Sequence, residues 1–341
     1  MTGTDPGWEA TDPSTSPAGP VLEVSGLSVG FADGAGGVVP VTSDVSFSVP
    51  AGQTLSLVGE SGCGKTVTAS AVMRLLPHPA GRILSGSVRF LGREISHLPL
   101  PQMHALRGSE MAMIFQEPMT SLNPVHTALD QVIEVLRLHR ADVPARERRA
   151  HAIRVLEEAE FPDPAHRAAS YPFQLSGGMR QRVMIAMALA GQPRLLIADE
   201  PTTALDVTVQ AQILALLRRI RHEHGMGVLY ITHDMAVVSE IADQVAVMYA
   251  GEVVETGPAR ELLTEPLHPY TRGLLACAPR LDSRPRERLE SIPGTVPAPS
   301  AYPASCRFAD RCPLAEAACR SGPISLRMIR GRQVRCIKAG P

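Results

Sequence analysis

Residues 59–66 read Gly-Glu-Ser-Gly-Cys-Gly-Lys-Thr and fit the pattern G-x-x-x-x-G-K-[ST]. The residues before them, Thr54-Leu55-Ser56-Leu57-Val58, read as a strand, and Val67 to Leu76 reads as a helix stopped by Pro77. Strand, glycine loop and helix in that order are the context the motif requires, and they commit the chain to an α/β core. Gly59, Gly62 and Gly64 let the backbone fold tightly, so that the loop's N–H groups, those of Glu60, Ser61 and Cys63 among them, face a phosphate. Lys65 brings positive charge to the β- and γ-phosphates, and the Thr66 hydroxyl is a ligand for Mg²⁺. Cys63 lies beside Lys65 and a helix start, which lowers a thiol pKa; it also reads simply as a small residue that fits the loop.

The rest of the chain supplies the remainder of such a core. Val21 to Pro50 alternates apolar and polar residues, which predicts antiparallel strands around a glycine-rich turn at 34–37. Met111–Phe115 is a short buried strand ending at Gln116. From about 117 the apolar residues Val132, Val135 and Leu136, then Ala152, Val155, Leu156 and Ala159, fall at helical spacing, which predicts an inserted helical subdomain. Leu195–Ala198 is a continuous apolar run suited to a parallel strand buried on both faces. Asp199 and Glu200 follow it directly. A carboxylate there can hold the Mg²⁺ shell, assigned to Asp199, and Glu200 is placed to orient or deprotonate the attacking water. Asp206 suits the N-cap of a helix through about His224, ended by Gly225, and Val228–Ile231 is the next buried strand, leading to His233.

Composition sets the outer limits. Lys+Arg 33 against Asp+Glu 34 gives no basic surplus, so nothing favours a nucleic-acid partner. No stretch of 18 apolar residues crosses a membrane, and the Pro/Gly/Ser/Thr-rich N-terminus has neither the basic start nor the apolar core of a secretory signal. It reads as a disordered tail over 1–19. The expected location is the cytosol, with membrane association only through a partner.

About 110 residues after the first glycine loop comes a second, Leu175-Ser176-Gly177-Gly178-Met179-Arg180-Gln181, opening a helix with Val183, Ala186, Met187 and Ala190 on one face. Ser176 suits the N-cap, and the two glycines leave first-turn N–H groups open to a phosphate. A chain with both strings resembles the ATP-binding subunit of an ABC transporter. The resemblance implies a P-loop ABC ATPase core over 20–266: a mixed sheet with helices, an antiparallel β subdomain and a helical subdomain at about 117–185. It implies a dimer in which each ATP sits between one subunit's phosphate loop and Ser176, Gly177, Gly178 and Gln181 of the other. Binding then closes the dimer, and hydrolysis reopens it. It further implies that Gln116 touches Mg²⁺ and the attacking water, that Asp206 in Ala204-Leu205-Asp206 lies at the dimer interface, that His233 contacts the γ-phosphate, and that Phe31 stacks on adenine.

Beyond Pro266 the chain turns Pro- and Arg-rich without clear periodicity, marking a small separate module over 267–341. Leu267-His268-Pro269-Tyr270-Thr271, Gly294-Thr295-Val296-Pro297 and Cys306–Pro313 resemble the C-terminus of oligopeptide and dipeptide importer subunits, as do Gln116–Pro124 and Met179. The whole looks like the D-type ATPase of such a permease. That implies a distinct F-type ATPase partner in a heterodimer, two transmembrane permease subunits, an extracytoplasmic peptide-binding protein and a place on the cytoplasmic face of the membrane. Membrane subunits are expected to dock a short helix in the groove between core and helical insert. Related subunits serve nickel or glutathione uptake, so those cargoes stay open; a soluble ABC ATPase acting on DNA or ribosomes finds no long heptad segment or second phosphate loop to support it. Cys306, Cys312, Cys319 and Cys336, spaced C-x5-C-x6-C-x16-C, match neither the paired spacing of zinc sites nor common ferredoxin spacings. By spacing alone they are four thiols able to meet around a metal. The resemblance favours a [4Fe–4S] cluster, with zinc, disulfides or free thiols as alternatives.

Overall fold

The computed structural model describes residues 19–34, 36–116, 121–203, 205–277 and 291–340. The expected N-terminal tail, apart from its last residue, lies outside them, as do residues 117–120 and Ala204. Strands β1 (Leu22–Ala32) and β2 (Val38–Val49) pair antiparallel, as the alternation predicts, because each puts Leu22, Val24, Val45 and Val49 inward and polar residues outward. Strand β3 (Thr54–Val58) leads into the glycine loop and helix α1 (Lys65–Val72). That helix is shorter than expected. The chain leaves it at Met73 and turns at Arg74 (φ 51), well before Pro77. Strands β4 (Gly81–Phe90) and β5 (Arg93–Glu94) complete a four-stranded antiparallel sheet in the order β2-β1-β4-β5.

Helix α2 (Leu100–Leu106) and strand β6 (Met111–Ile114) return the chain to the core. The helical insert then follows as α3 (Ala128–His139), α4 (Arg148–Glu158) and the short α5 (Pro164–Arg167), and α6 (Gly177–Ala190) packs against α3, α4 and β6. Strand β7 (Leu195–Asp199), helix α7 (Val207–His224), strand β8 (Gly227–Thr232), helix α8 (Met235–Ile241) and strand β9 (Gln244–Tyr249) finish the parallel part. Asp206 caps α7 by accepting from the Val209 N–H at 2.9 Å, and Gly225 ends it where the sequence predicts.

Strands β9, β3, β8, β7 and β6 run parallel, and both faces of this sheet are covered. Alternate residues divide between two cores: Leu196, Ala198, Val228 and Tyr230 pack with the helical insert, while Leu55, Leu57, Leu195, Ile197 and Leu229 pack with the antiparallel sheet. Such two-sided burial is why these strands read as unbroken apolar runs.

The C-terminal segment packs on the core rather than standing apart. Strand β10 (Glu252–Pro258) extends the sheet, helices α9 (Ala259–Thr264) and α10 (Pro269–Cys277) follow, and the hairpin β11 (Arg327–Ile329)/β12 (Arg332–Val334) adds two more strands beside β10. Helix α10 is a feature the sequence reading missed. Its Pro269 start and Pro/Arg-rich surroundings hide the periodicity, yet it buries Tyr270, Thr271 and Leu274.

Candidate functional site

The glycine loop sits at the carboxyl end of β3, with β8 and β9 on either side. Gly59 passes so close to β9 that a Cβ there would lie 2.1 Å from the Met248 carbonyl oxygen, and Gly64 turns the chain into α1 at φ 104, a conformation other residues resist. Lys65 is 5 % exposed, and its ammonium donates to the carbonyls of Gly59 (2.7 Å) and Glu60 (3.1 Å). The lysine thus lies across the loop it belongs to. Cys63 is buried, and burial pushes its thiol up rather than down, which leaves it the part of a small loop filler.

Strand β7 delivers the two acids. Asp199 is buried and accepts from the Thr66 hydroxyl at 3.3 Å; burial raises its pKa, with the Thr66 bond acting against that and the Glu200 charge adding to it. The Thr66 hydroxyl and a carboxylate side by side are hard oxygen donors, which suits Mg²⁺. Glu200 leaves the strand in a left-handed conformation (φ 45), uncommon for a residue with a side chain and a form of local strain found at working sites. Its carboxylate is held from four sides: Gln116 donates at 3.2 Å, the Thr203 hydroxyl at 3.0 Å, His233 Nδ1 lies at 3.1 Å and the Lys65 ammonium at 3.9 Å. Lys65, Thr66, Gln116, Asp199, Glu200 and His233 therefore meet in one place, although they come from four separate strand ends.

The second glycine string is built on other elements. Ser176 caps α6 and accepts from the Met179 N–H at 3.3 Å. A Cβ on Gly177 would lie 3.5 Å from Leu205 and one on Gly178 2.8 Å from Val209, so the second string stacks directly on the Asp206 turn. Gln181 departs from the expected placement. It is fully buried along α6, and its amide has no hydrogen-bond partner among the described residues, so it does not face outward with Ser176. Phe31, near the end of β1, is half-buried against Gly81 and the strand cluster.

Sequence reading missed Thr203, which nothing but its proximity to Glu200 marks. It also missed Tyr270 and Arg311. The Tyr270 hydroxyl accepts from the Glu60 N–H at 2.9 Å, and Arg311 grips the Glu60 carboxylate with two bonds of 2.6 and 2.9 Å. Only folding brings residues 60, 270 and 311 together.

The four C-terminal cysteines are free thiols in one region: the Cys306 N–H donates to the Cys319 carbonyl at 3.1 Å, and Cys336 Sγ accepts from the Lys338 N–H at 3.3 Å. Burial raises the Cys306 thiol to about 11 and also raises Cys312, with the other cysteines adding to both. Among the described residues no group of three or more His, Cys, Asp or Glu is arranged to hold a metal ion. As they stand, these residues do not fit the expected cluster.

The ABC transporter family matches residues 42–203, and the family described as oligopeptide/dipeptide transporter, C-terminal region, matches residues 254–319. A putative peptide import ATP-binding protein of Brucella melitensis is 50 % identical over 317 residues, covering 93 % of this chain and 94 % of its own. A second of the same description and organism is 47 % identical over 330 residues, covering 94 % and 97 %.

The chain belongs to the ABC transporter ATPase family.

Among solved structures, the dimeric ATP-binding cassette MJ0796, in a post-hydrolysis state bound to ADP and Pi, superposes with a TM-score of 0.62 at 28 % identity, over 70 % of this chain and 99 % of its own. The cbiO1 cassette of Clostridium perfringens shares the fold, with a TM-score of 0.61 at 24 % identity over 72 % of this chain and 91 % of its own. The catalytic activity is therefore ATP hydrolysis. This family member also carries an apolar groove of about 270 Å³ between core and helical insert, lined by Leu75, Met113, Phe115, Val135, His139 and Met187. Among the described residues no helix is long and apolar enough to cross a membrane.

Proposed function

We propose that this chain is the ATP-hydrolysing subunit of an ABC importer for dipeptides or oligopeptides, working at the cytoplasmic face of the membrane. The observation that carries the cargo class is one chain joining the phosphate-loop site to a segment that matches the oligopeptide/dipeptide transporter C-terminal region. Two relatives described as putative peptide import ATP-binding proteins, alike over almost the whole length, agree with it.

The site residues have these roles in the proposal. The loop N–H groups from Ser61 to Thr66 bind the phosphates, that of Glu60 being already donated to the Tyr270 hydroxyl, and Lys65 leaves the carbonyls of Gly59 and Glu60 to meet them. That movement removes the Lys65 charge from beside Glu200. Glu200, still held by Gln116, Thr203 and His233, then orients the attacking water or takes its proton. Thr66 and Asp199, with Gln116, are the residues that would hold Mg²⁺, and the ion would supply charge neutralisation at the phosphates. Phe31 offers an aromatic face to adenine. Ser176, Gly177 and Gly178 present a helix start to the nucleotide of a facing subunit, and the stacked Asp206 turn lies at the same interface. Gln181 joins that surface only if α6 shifts in the closed dimer, because it is buried here.

The facing subunit is a second ATPase, of the F type in a D/F heterodimer. Two transmembrane permease subunits dock through a short helix in the Phe115–Val135 groove, and an extracytoplasmic protein delivers the peptide. A [4Fe–4S] cluster at the four cysteines rests on resemblance alone; iron and sulfide analysis of anaerobically purified protein decides it. The test of function is the ATPase rate of the complex co-purified from native membranes, with its binding protein, with and without short peptides. Stimulation by di- or oligopeptides is expected. Stimulation only by nickel or glutathione overturns the cargo, and failure to recover membrane subunits overturns the importer.

A further inference from the structure

Glu60 puts a carboxylate inside the loop that is to receive a polyphosphate. Left alone, that charge repels the ligand. Arg311 meets it with two hydrogen bonds, at 2.6 and 2.9 Å, the fork geometry in which a guanidinium binds a carboxylate most firmly. The guanidinium is itself fixed: it donates to the carbonyls of Pro293 (2.8 Å) and Ile292 (3.3 Å), lies 5.7 Å from the centre of the Tyr249 ring, and its side chain is 6 % exposed. From the other side Tyr270 accepts the Glu60 N–H at 2.9 Å, and Tyr270 packs against Tyr249 and Phe308. Both arms come from the segment beyond residue 266.

We infer that Arg311 is a positioning residue for nucleotide binding: it neutralises Glu60 and, with Tyr270, fixes the second residue of the phosphate loop, so the C-terminal segment sets this chain's affinity for ATP. The inference rests on the reading of residues 59–66 as the nucleotide loop.

The test is equilibrium binding of a fluorescent ATP analogue, displaced by ATP, to the full-length chain. Arg311→Ala is expected to weaken ATP binding by about tenfold, with Arg311→Lys in between. Adding Glu60→Gln to Arg311→Ala is expected to restore most of the loss, because the repelling charge goes with it; loss of packing alone cannot be cured that way. In the assembled complex, KM for ATP rises while kcat stays within about twofold. Arg335→Ala is the comparison. It cuts a partner of Asp44 and of the Val253 carbonyl in the same segment without touching the loop, so binding is expected to hold. Unchanged affinity in folded Arg311→Ala, or a loss that Glu60→Gln does not relieve, overturns the inference. Where Arg311→Ala does not fold, Arg311→Lys with and without Glu60→Gln carries the same comparison. Lys65→Ala separates the two levels: if it too leaves binding unchanged, the loop itself is not the nucleotide site.

Discussion

In the proposed mechanism Glu200 is the residue that orients the water, and its surroundings hold it tightly. A left-handed glutamate with four partners pays strain for a fixed direction, and a fixed direction is what a water-orienting base needs. Glu200→Gln keeps the shape and removes the base. We expect it to retain ATP while kcat falls by about 10²-fold or more, read by single-turnover hydrolysis; a wild-type rate removes Glu200 from the mechanism. Asp199 carries a different cost. Its pKa is raised by burial, so the folded chain gains from this group as pH falls through that raised pKa and loses by it above. Asp199→Asn removes the buried charge but can still accept from Thr66. The variant is expected to melt about 2–4 °C higher without nucleotide, an effect of roughly 1 kcal/mol, and to lose Mg²⁺-dependent hydrolysis. A lower melting temperature contradicts the burial argument.

At the scale of elements, the start of α10 is tied into the sheet by buried polar groups. The Glu255 carboxylate on β10 accepts from the N–H groups of Leu267 (2.9 Å) and His268 (2.8 Å) and pairs with Arg332 on β12 at 3.4 Å, both side chains being almost wholly buried. His268 in turn accepts the Tyr270 N–H at 3.0 Å, which requires a neutral ring, and burial pulls its pKa down to about 3. The unfolded chain takes up this proton near pH 6.5 and the folded chain does not. Stability from this group is therefore whole above that pH and falls by up to about 1.4 kcal/mol per unit from 6.5 towards 3. Urea unfolding between pH 7.5 and 5.5 reads the slope. His268→Asn keeps an acceptor for Tyr270 and is expected to flatten it; an equal slope in the variant assigns the effect elsewhere.

At the scale of the whole molecule, hydrolysis is useful only if the loop's state reaches other subunits. Gln116 donates to Glu200, and its chain neighbour Phe115 lines the apolar groove, so two consecutive residues connect the acid to the proposed docking site. Leu75 lines that groove with 39 % of its surface exposed. Leu75→Glu places a charge where an apolar helix is to dock. We expect the membrane subunits no longer to co-purify, while ATP binding by the separate chain stays unchanged. Co-purification at the wild-type level moves the docking site elsewhere.

Much of this was legible in the chain because it depends on neighbours in sequence. The strand, loop and helix around Lys65, the acids after Leu195–Ala198, the Ser176 cap and the Asp206–Gly225 helix are local: turn geometry, capping and two-sided burial write themselves into adjacent residues. Composition could not reveal α10, because Pro269 and its Arg-rich surroundings mask a helix that tertiary burial stabilises. Nor could spacing reveal that Gln181 turns inward, that Thr203 supports Glu200, or that the four cysteines gather without forming a ligand set. The Glu60–Arg311 pair spans 251 positions. Such a contact leaves no periodic trace, since ion pairs between distant segments depend only on where folding brings two side chains. The sequence by itself determined the phosphate loop, the acids and the architecture that carries them; the tertiary structure decided that a distant segment holds that loop in place.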